Sequence, residues 1–147
     1  ALLVSAGLGH EPPSGTIPDY GRLHPKEDSM KLEHDLFRIE QGFWLSGEEH
    51  FSAHLDAQCV LVFPQAGEMH GVMTREDVAK TATPTNRWRE LKMTDRSLLQ
   101  PSEEMAIISY RADAIRADGD PYAALIGSAY IRRPEGWKLV FHQHSPC

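Results

Sequence analysis

The last third of the chain alternates most clearly. Met105 to Arg116 runs with β-branched and aromatic residues and no glycine or proline, which predicts a strand. Its odd positions carry Met105, Ile107, Ser109, Arg111, Asp113 and Ile115, and its even positions Ala106, Ile108, Tyr110, Ala112 and Ala114. Asp118-Gly119-Asp120 signals a turn, Tyr122 to Arg133 a returning strand, Pro134-Glu135-Gly136 a second turn, and Trp137 to Ser145 a third strand. In that strand, strict alternation puts Trp137, Leu139, Phe141 and Gln143 on one face and Val140, His142 and His144 on the other. Both faces have apolar content. One therefore needs helices over it, and the other a second sheet or a partner chain.

Upstream the period changes. Leu32, Leu36, Ile39 and Phe43 recur at helical spacing, widened by Phe37 and Trp44, which predicts a helix over Lys31 to Leu45 with Asp28 or Ser29 as its cap. Ser46 and Glu49 have capping-box spacing for a short second helix through His50, Phe51, His54 and Leu55. Cys59 to Phe63 reads as a buried strand stopped by Pro64, and Met69-His70 as a short bent strand or hairpin tip. Thr74 to Asp77 is a second capping box, opening a helix to about Thr81 that Pro84 ends. Trp88 to Leu99 is the first long strand. Residues 1–30, with Pro12, Pro13, Gly15, Pro18, Gly21 and Pro25, read as an N-terminal arm, and 31–147 as one folded domain.

Composition narrows the functional classes. A chain of 147 residues is long enough for one domain with its own core. A formal charge of −6 argues against a general nucleic-acid binder, which needs a basic face. Cys59 and Cys147 make no disulfide framework, so a reducing, cytoplasmic compartment is expected. The apolar start, Ala1 to Leu8, is too short to span a bilayer and lacks the basic flank of a signal peptide, so no membrane is expected. The missing initiator methionine is consistent with processing or truncation.

Helix, helix, strand, short helix and four long strands is the order of the NTF2-like superfamily, also called cystatin-like or ketosteroid-isomerase-like, and the chain resembles it over residues 31–146. Ser128-Ala129-Tyr130-Ile131-Arg132-Arg133 followed by Glu135-Gly136-Trp137-Lys138-Leu139-Val140-Phe141-His142-Gln143-His144-Ser145-Pro146 resembles the closing motif of its DUF4440 and SnoaL-like members. Gly71 to Asp77 resembles their loop into the third helix. The resemblance implies an α+β fold: a cone in which a strongly curved, mixed or antiparallel sheet wraps around about three N-terminal helices, with a pocket at one end. It also implies homodimers through the outer sheet face.

Candidate chemistry follows from both sources. Asp56, between the second helix and the next strand, matches by position the carboxylate that acts as general base in related isomerases. His142 is the acid–base candidate of the last strand, because imidazole titrates near neutral pH. Trp44, Tyr110, Tyr130, Gln143 and His144 are the candidate ligand contacts, with His142 and Gln143 exclusive of one another on an ideal strand. Two imidazoles on one face can ligate a metal given a third ligand, which His70 or Asp56 could supply only through folding; neither a metal nor a cofactor is expected. The paired carboxylates and tyrosine of true ketosteroid isomerases are missing, since Phe43 and Trp44 occupy the helix region where that tyrosine would lie. The expected function is binding of a small apolar or carbonyl-containing molecule, with cofactor-independent isomerase, dehydratase or cyclase chemistry by proton transfer. The alternative is a non-catalytic homodimeric association domain.

Overall fold

The structure is a computed structural model that describes residues 25–147 other than Ala66. Most of the expected arm, residues 1–24, lies outside the described residues. Three α-helices, α1 (Pro25–Leu45), α2 (Glu48–His54) and α3 (Arg75–Lys80), precede or interrupt six strands. The strands are β1 (Leu55–Val62), β2 (His70–Thr74), β3 (Glu90–Ser102), β4 (Met105–Ile115), β5 (Pro121–Arg133) and β6 (Gly136–Pro146). A single 3-10 turn, Pro84–Asn86, leads into β3.

Helix α1 begins at Pro25, six residues before the expected Lys31. Proline at the first helical position gives up an N–H that would have no intrahelical partner, and Glu27 and Asp28 suit the positive end of the helix dipole. The second helix corrects the expected capping box. Its cap residue is Gly47, with no side-chain hydrogen bond, so Ser46 and Glu49 do not cap it. At α3 one half of the expected box forms: the Thr74 hydroxyl accepts from the Asp77 amide at 3.2 Å.

The strand order is β2-β1-β6-β5-β4-β3, antiparallel throughout except for the parallel β1–β6 pair. Gly119 and Gly136, at φ of 96° and 127°, make the two turns of the β4–β5–β6 meander. The expected cone is corrected here. The sheet is open, ending in β2 on one side and β3 on the other with no pairing between them, and it is not strongly curved or closed. A period of two specifies which side of a strand is buried, but it carries no information about whether the outermost strands meet.

The core lies between the helices and one face of this sheet. In β4 the buried positions are the even ones, Ala106 to Ala114, facing Leu36, Phe37 and Trp44 of α1. Three alanines on β4 and Ala124 on β5 let the helix sit close to the sheet. Among the described residues no helix is long and apolar enough to cross a membrane.

The strict alternation expected of β6 fails at one place. Ala129 pairs with Phe141 and Tyr130 with Leu139, so Val140 is an extra residue, a β-bulge. The bulge shifts the phase of the strand. Leu139 before it and His142 and His144 after it are all buried on the helix side, while Gln143 is exposed. The two registers that alternation makes exclusive are thus both used, each in its own half of the strand.

Candidate functional site

Glu40 sits on the buried side of α1, one turn after Leu36 and one turn before Trp44. Its side chain is 0% exposed, and an isolated carboxylate there would be strongly disfavoured. Four groups from the sheet answer that cost. Oε1 accepts from the Tyr110 hydroxyl at 2.8 Å and the Ser128 hydroxyl at 2.6 Å, and lies 3.1 Å from Nδ1 of His142. Oε2 accepts from the Tyr130 hydroxyl. Trp44 donates its indole N–H to the Tyr110 oxygen at 2.9 Å, which leaves the Tyr110 proton for Glu40.

Burial pushes the Glu40 carboxyl up, but the charge His142 carries when protonated, and the hydrogen bonds of His142, Ser128 and Tyr130, outweigh it and hold the group below its ordinary value. Glu40 is therefore an anion. The phenols of Tyr110 and Tyr130 are pushed well up by burial and by that same anion, so they remain donors.

The network continues outward. Ser128 has one proton, given to Glu40, so its oxygen accepts from His142 Nδ1–H at 2.7 Å. His142 Nε2 lies 2.8 Å from Nε2 of His144, and His144 Nδ1 lies 3.0 Å from the Tyr122 hydroxyl. His144 is clamped between Trp44, stacked on it at 5.0 Å, and the edge-on ring of Phe63 at 4.8 Å. Burial first, then the charges of His142 and Arg116, pull His144 down to about 2, so it is neutral at physiological pH. Burial and Glu68 raise the Tyr122 phenol, which keeps its proton.

This chain of groups ends on a cleft of about 570 Å³. Its walls are aromatic, built from Phe43, Trp44, Phe51, Phe63, Trp88 and Tyr122, with His142, His144, Arg87 and Arg116 among its polar lining. A volume of this size holds a small organic molecule. Among the described residues no group of three or more His, Cys, Asp or Glu side chains is placed to hold a metal ion.

The structure brings five of the seven sequence-predicted residues together. Trp44, Tyr110, Tyr130, His142 and His144 belong to one hydrogen-bonded and stacked cluster, in which Trp44, His142 and His144 line the cleft and Tyr110 and Tyr130 lie behind it against Glu40. Gln143 faces outward on β6. Asp56 lies at the start of β1 in a two-pronged pair with Arg133, at 3.1 and 3.0 Å, which lowers its carboxyl, and it is not part of the cleft wall. Glu40, Ser128, Tyr122 and Arg116 are absent from the sequence-based set. Glu40 had a signal: it is the one charged residue at i+4 from Leu36 and i−4 from Trp44, inside the apolar stripe.

No family model matches the chain, and no curated protein matches it in sequence. Solved structures do. An NTF2-like protein of unknown function in nutrient uptake from Rhodospirillum rubrum aligns at 14% identity and a TM-score of 0.63, covering 80% of this chain and 98% of its own. The association domain of C. elegans CaMKII aligns at 10% identity and 0.62, covering 82% and 96%. A proposed dehydratase of the NTF2-like family from Streptomyces avermitilis aligns at 16% identity and 0.62, covering 84% and 98%. At such identities the likeness shows the fold, NTF2-like and cystatin-like. That fold carries both enzymes and non-catalytic association domains.

Proposed function

We propose that this NTF2-like domain, of the SnoaL-like or DUF4440 kind that its closing motif resembles, binds a small molecule in the aromatic cleft and moves a proton on it without a cofactor. The observation that carries this reading is the continuous hydrogen-bonded path from Tyr122 at the cleft through His144 and His142 to the buried Glu40 anion. A carboxylate satisfied by three hydroxyls and an imidazole, behind two histidines, is a place to hold one proton.

The step balances within the chain. With His142 protonated only at Nδ1, its Nε2 accepts from His144 Nε2–H, and His144 Nδ1 accepts from the Tyr122 hydroxyl. A proton leaving a substrate carbon or water arrives at the Tyr122 oxygen. The Tyr122 proton passes to His144 Nδ1, and the His144 Nε2 proton passes to His142 Nε2. The product is an imidazolium at His142 beside the Glu40 carboxylate, with His144 neutral again. Reversal returns the proton to a different atom of the substrate, which is an isomerisation, or to a departing hydroxyl, which is a dehydration. His142 and His144 are the acid–base pair, Tyr122 the group at the substrate, and Glu40 a positioning residue.

The test is proton exchange. Cyclic enones and β-dicarbonyl compounds incubated with the protein in D2O are followed by NMR. Protein-dependent exchange at the carbon next to the carbonyl is expected, and His144→Asn abolishes it. Exchange no faster than with His144→Asn across the panel refutes the reading.

A second reading, a homodimeric association domain, is favoured by a different surface. Val72, Val60, Phe141, Ala129, Ile107 and Leu99 are registered neighbours in one row across all six strands, on the face away from the helices. Val72 and Leu99 are 67% and 61% exposed, and Leu125, two rows along on the same face, is 54% exposed. Such a band suits a second copy of the chain laid sheet to sheet. Light scattering at tens of micromolar is expected to give twice the chain mass for the native sequence and the single mass for Ile107→Arg with Leu125→Arg. A native monomer refutes it. A dimer without exchange leaves association as the function.

A further inference from the structure

Arg116 lines the cleft and, among the described residues, makes no ion pair. Its guanidinium carbon stands 4.9 Å from the ring centres of both Trp88 and Tyr122, so the group is held in place by two aromatic faces. Among the described residues it has no carboxylate within ion-pair distance and donates no side-chain hydrogen bond. Arg87, the other cleft arginine, differs. It donates to the carbonyl oxygens of Phe43 and Ser46 at 2.7 and 3.3 Å and lies over the Phe51 ring at 4.8 Å, so it ties the end of α1 to the approach to β3.

Position adds to availability. Arg116 packs on Tyr122, whose hydroxyl touches His144, so a group bound by the guanidinium is delivered beside the outer end of the proton path. The acidic residues of the rim do not occupy it. Asp118 accepts from the Asp120 amide at 2.9 Å in its own turn, and Glu68 makes no ion pair among the described residues. A rigid fork of unused donors, fixed over aromatic rings, matches a planar anion in charge and shape. The remaining walls are largely aromatic and aliphatic, which favours an apolar body.

We infer that the cleft takes planar carboxylates, with the aromatic or conjugated body against the apolar lining of the cleft and the carboxylate paired with Arg116. This rests on the cleft being a binding site and names its substrate class. The site then places the carbon skeleton adjoining the carboxylate next to Tyr122.

The experiment compares 2-naphthoate with its uncharged isostere 2-naphthamide, using the full chain, by isothermal titration and by quenching of tryptophan fluorescence. The naphthoate is expected to bind about tenfold tighter or more. Arg116→Gln should bring naphthoate to the naphthamide affinity while leaving naphthamide unchanged. Arg116→Lys, which keeps the charge and loses the fork, should retain part of the preference. Thermal melts and near-ultraviolet dichroism of both variants establish that the Trp88–Tyr122 clasp survives. Equal binding of the two probes, or a preference for naphthoate that survives Arg116→Gln, overturns the inference and leaves the cleft as a site for neutral molecules, where exchange on neutral ketones still tests the proton path. Binding of neither probe overturns it together with the cleft reading.

Discussion

Glu40→Gln isolates what the buried charge does, because it preserves the size of the side chain. The wild-type carboxylate accepts from three hydroxyls and faces an imidazole N–H. A hydrogen bond to a charged group contributes about 1.5–3 kcal/mol and a neutral one about 0.5–1.5, so each hydroxyl loses about 1 kcal/mol on neutralisation. Three give about 3 kcal/mol. The amide N–H2 must also replace one acceptor with a donor, forcing one hydroxyl to turn, which adds about 1 kcal/mol. The expected loss at pH 7 is about 3–4 kcal/mol, within the range for breaking a buried pair. It corresponds to a fall in Tm on the order of 10 °C. The sign with pH follows from the lowered Glu40 pKa. The contribution is complete above the ordinary value of 4.5 and is lost as pH falls through the lower folded value. Urea unfolding of both proteins from pH 7.5 to 3.5 therefore shows a gap that is widest at neutral pH and begins to close below about pH 4.5. A gap under about 1 kcal/mol at pH 7, or one that widens on acidification, refutes the assignment of Glu40 as a fully satisfied anion.

Two further substitutions probe other parts of the structure. His144 is neutral in the fold down to about 2, whereas unfolded chains take up that proton near 6.5, so the wild type loses about 1.4 kcal/mol per pH unit from this group between about pH 6 and 4; His144→Asn should flatten the pH dependence of the urea midpoint by that slope, and an unchanged slope contradicts a neutral His144. Gly42 is helical, yet a Cβ there would come within 2.1–2.6 Å of three His50 ring atoms and displace the His50 bond to the Ile39 carbonyl; Gly42→Ala is therefore expected to destabilise by about 1 kcal/mol or more by thermal melting, although alanine is the better helix former, and a stabilised variant would show that His50 is free to move.

The elements were legible where one local rule governs them. The β4 strand was plain from its period of two, but Met105, Ile107 and Ile115 on its odd face left open which side is buried, and the structure buries the even one. The β5 and β6 turns were legible from Gly119 and Gly136. Closure was not, because it depends on whether β2 and β3 approach one another, and neither strand's side chains record that. The site failed for two separate physical reasons. The Val140 bulge breaks the period of two, so any reading by alternation must set His142 against Leu139 when both in fact face the helices. Glu40 pairs with residues 70 to 102 positions away, and a lone charge in an apolar stripe reveals that partners must exist without saying which.

The bulge and the buried glutamate belong to one design. Without the bulge at Val140, the same sequence alternating regularly from a buried Leu139 would turn His142 and His144 outward, and Glu40 would face the sheet with hydroxyls alone. Three hydroxyls satisfy a carboxylate geometrically but cannot neutralise it. An imidazole can, when both of its nitrogens carry protons. Packing alone gives no reason for the arrangement, since hydrophobic residues of similar volume commonly replace a buried ion pair at no loss of stability. What the pair adds is a pair of states. With His142 neutral, the hydrogen bonds run from Tyr122 inward; with His142 charged, they run from Glu40's side outward to Tyr122. A single proton reverses the direction of the His142–His144 and His144–Tyr122 bonds, and His144, held neutral between Trp44 and Phe63, is the residue that makes the reversal symmetrical.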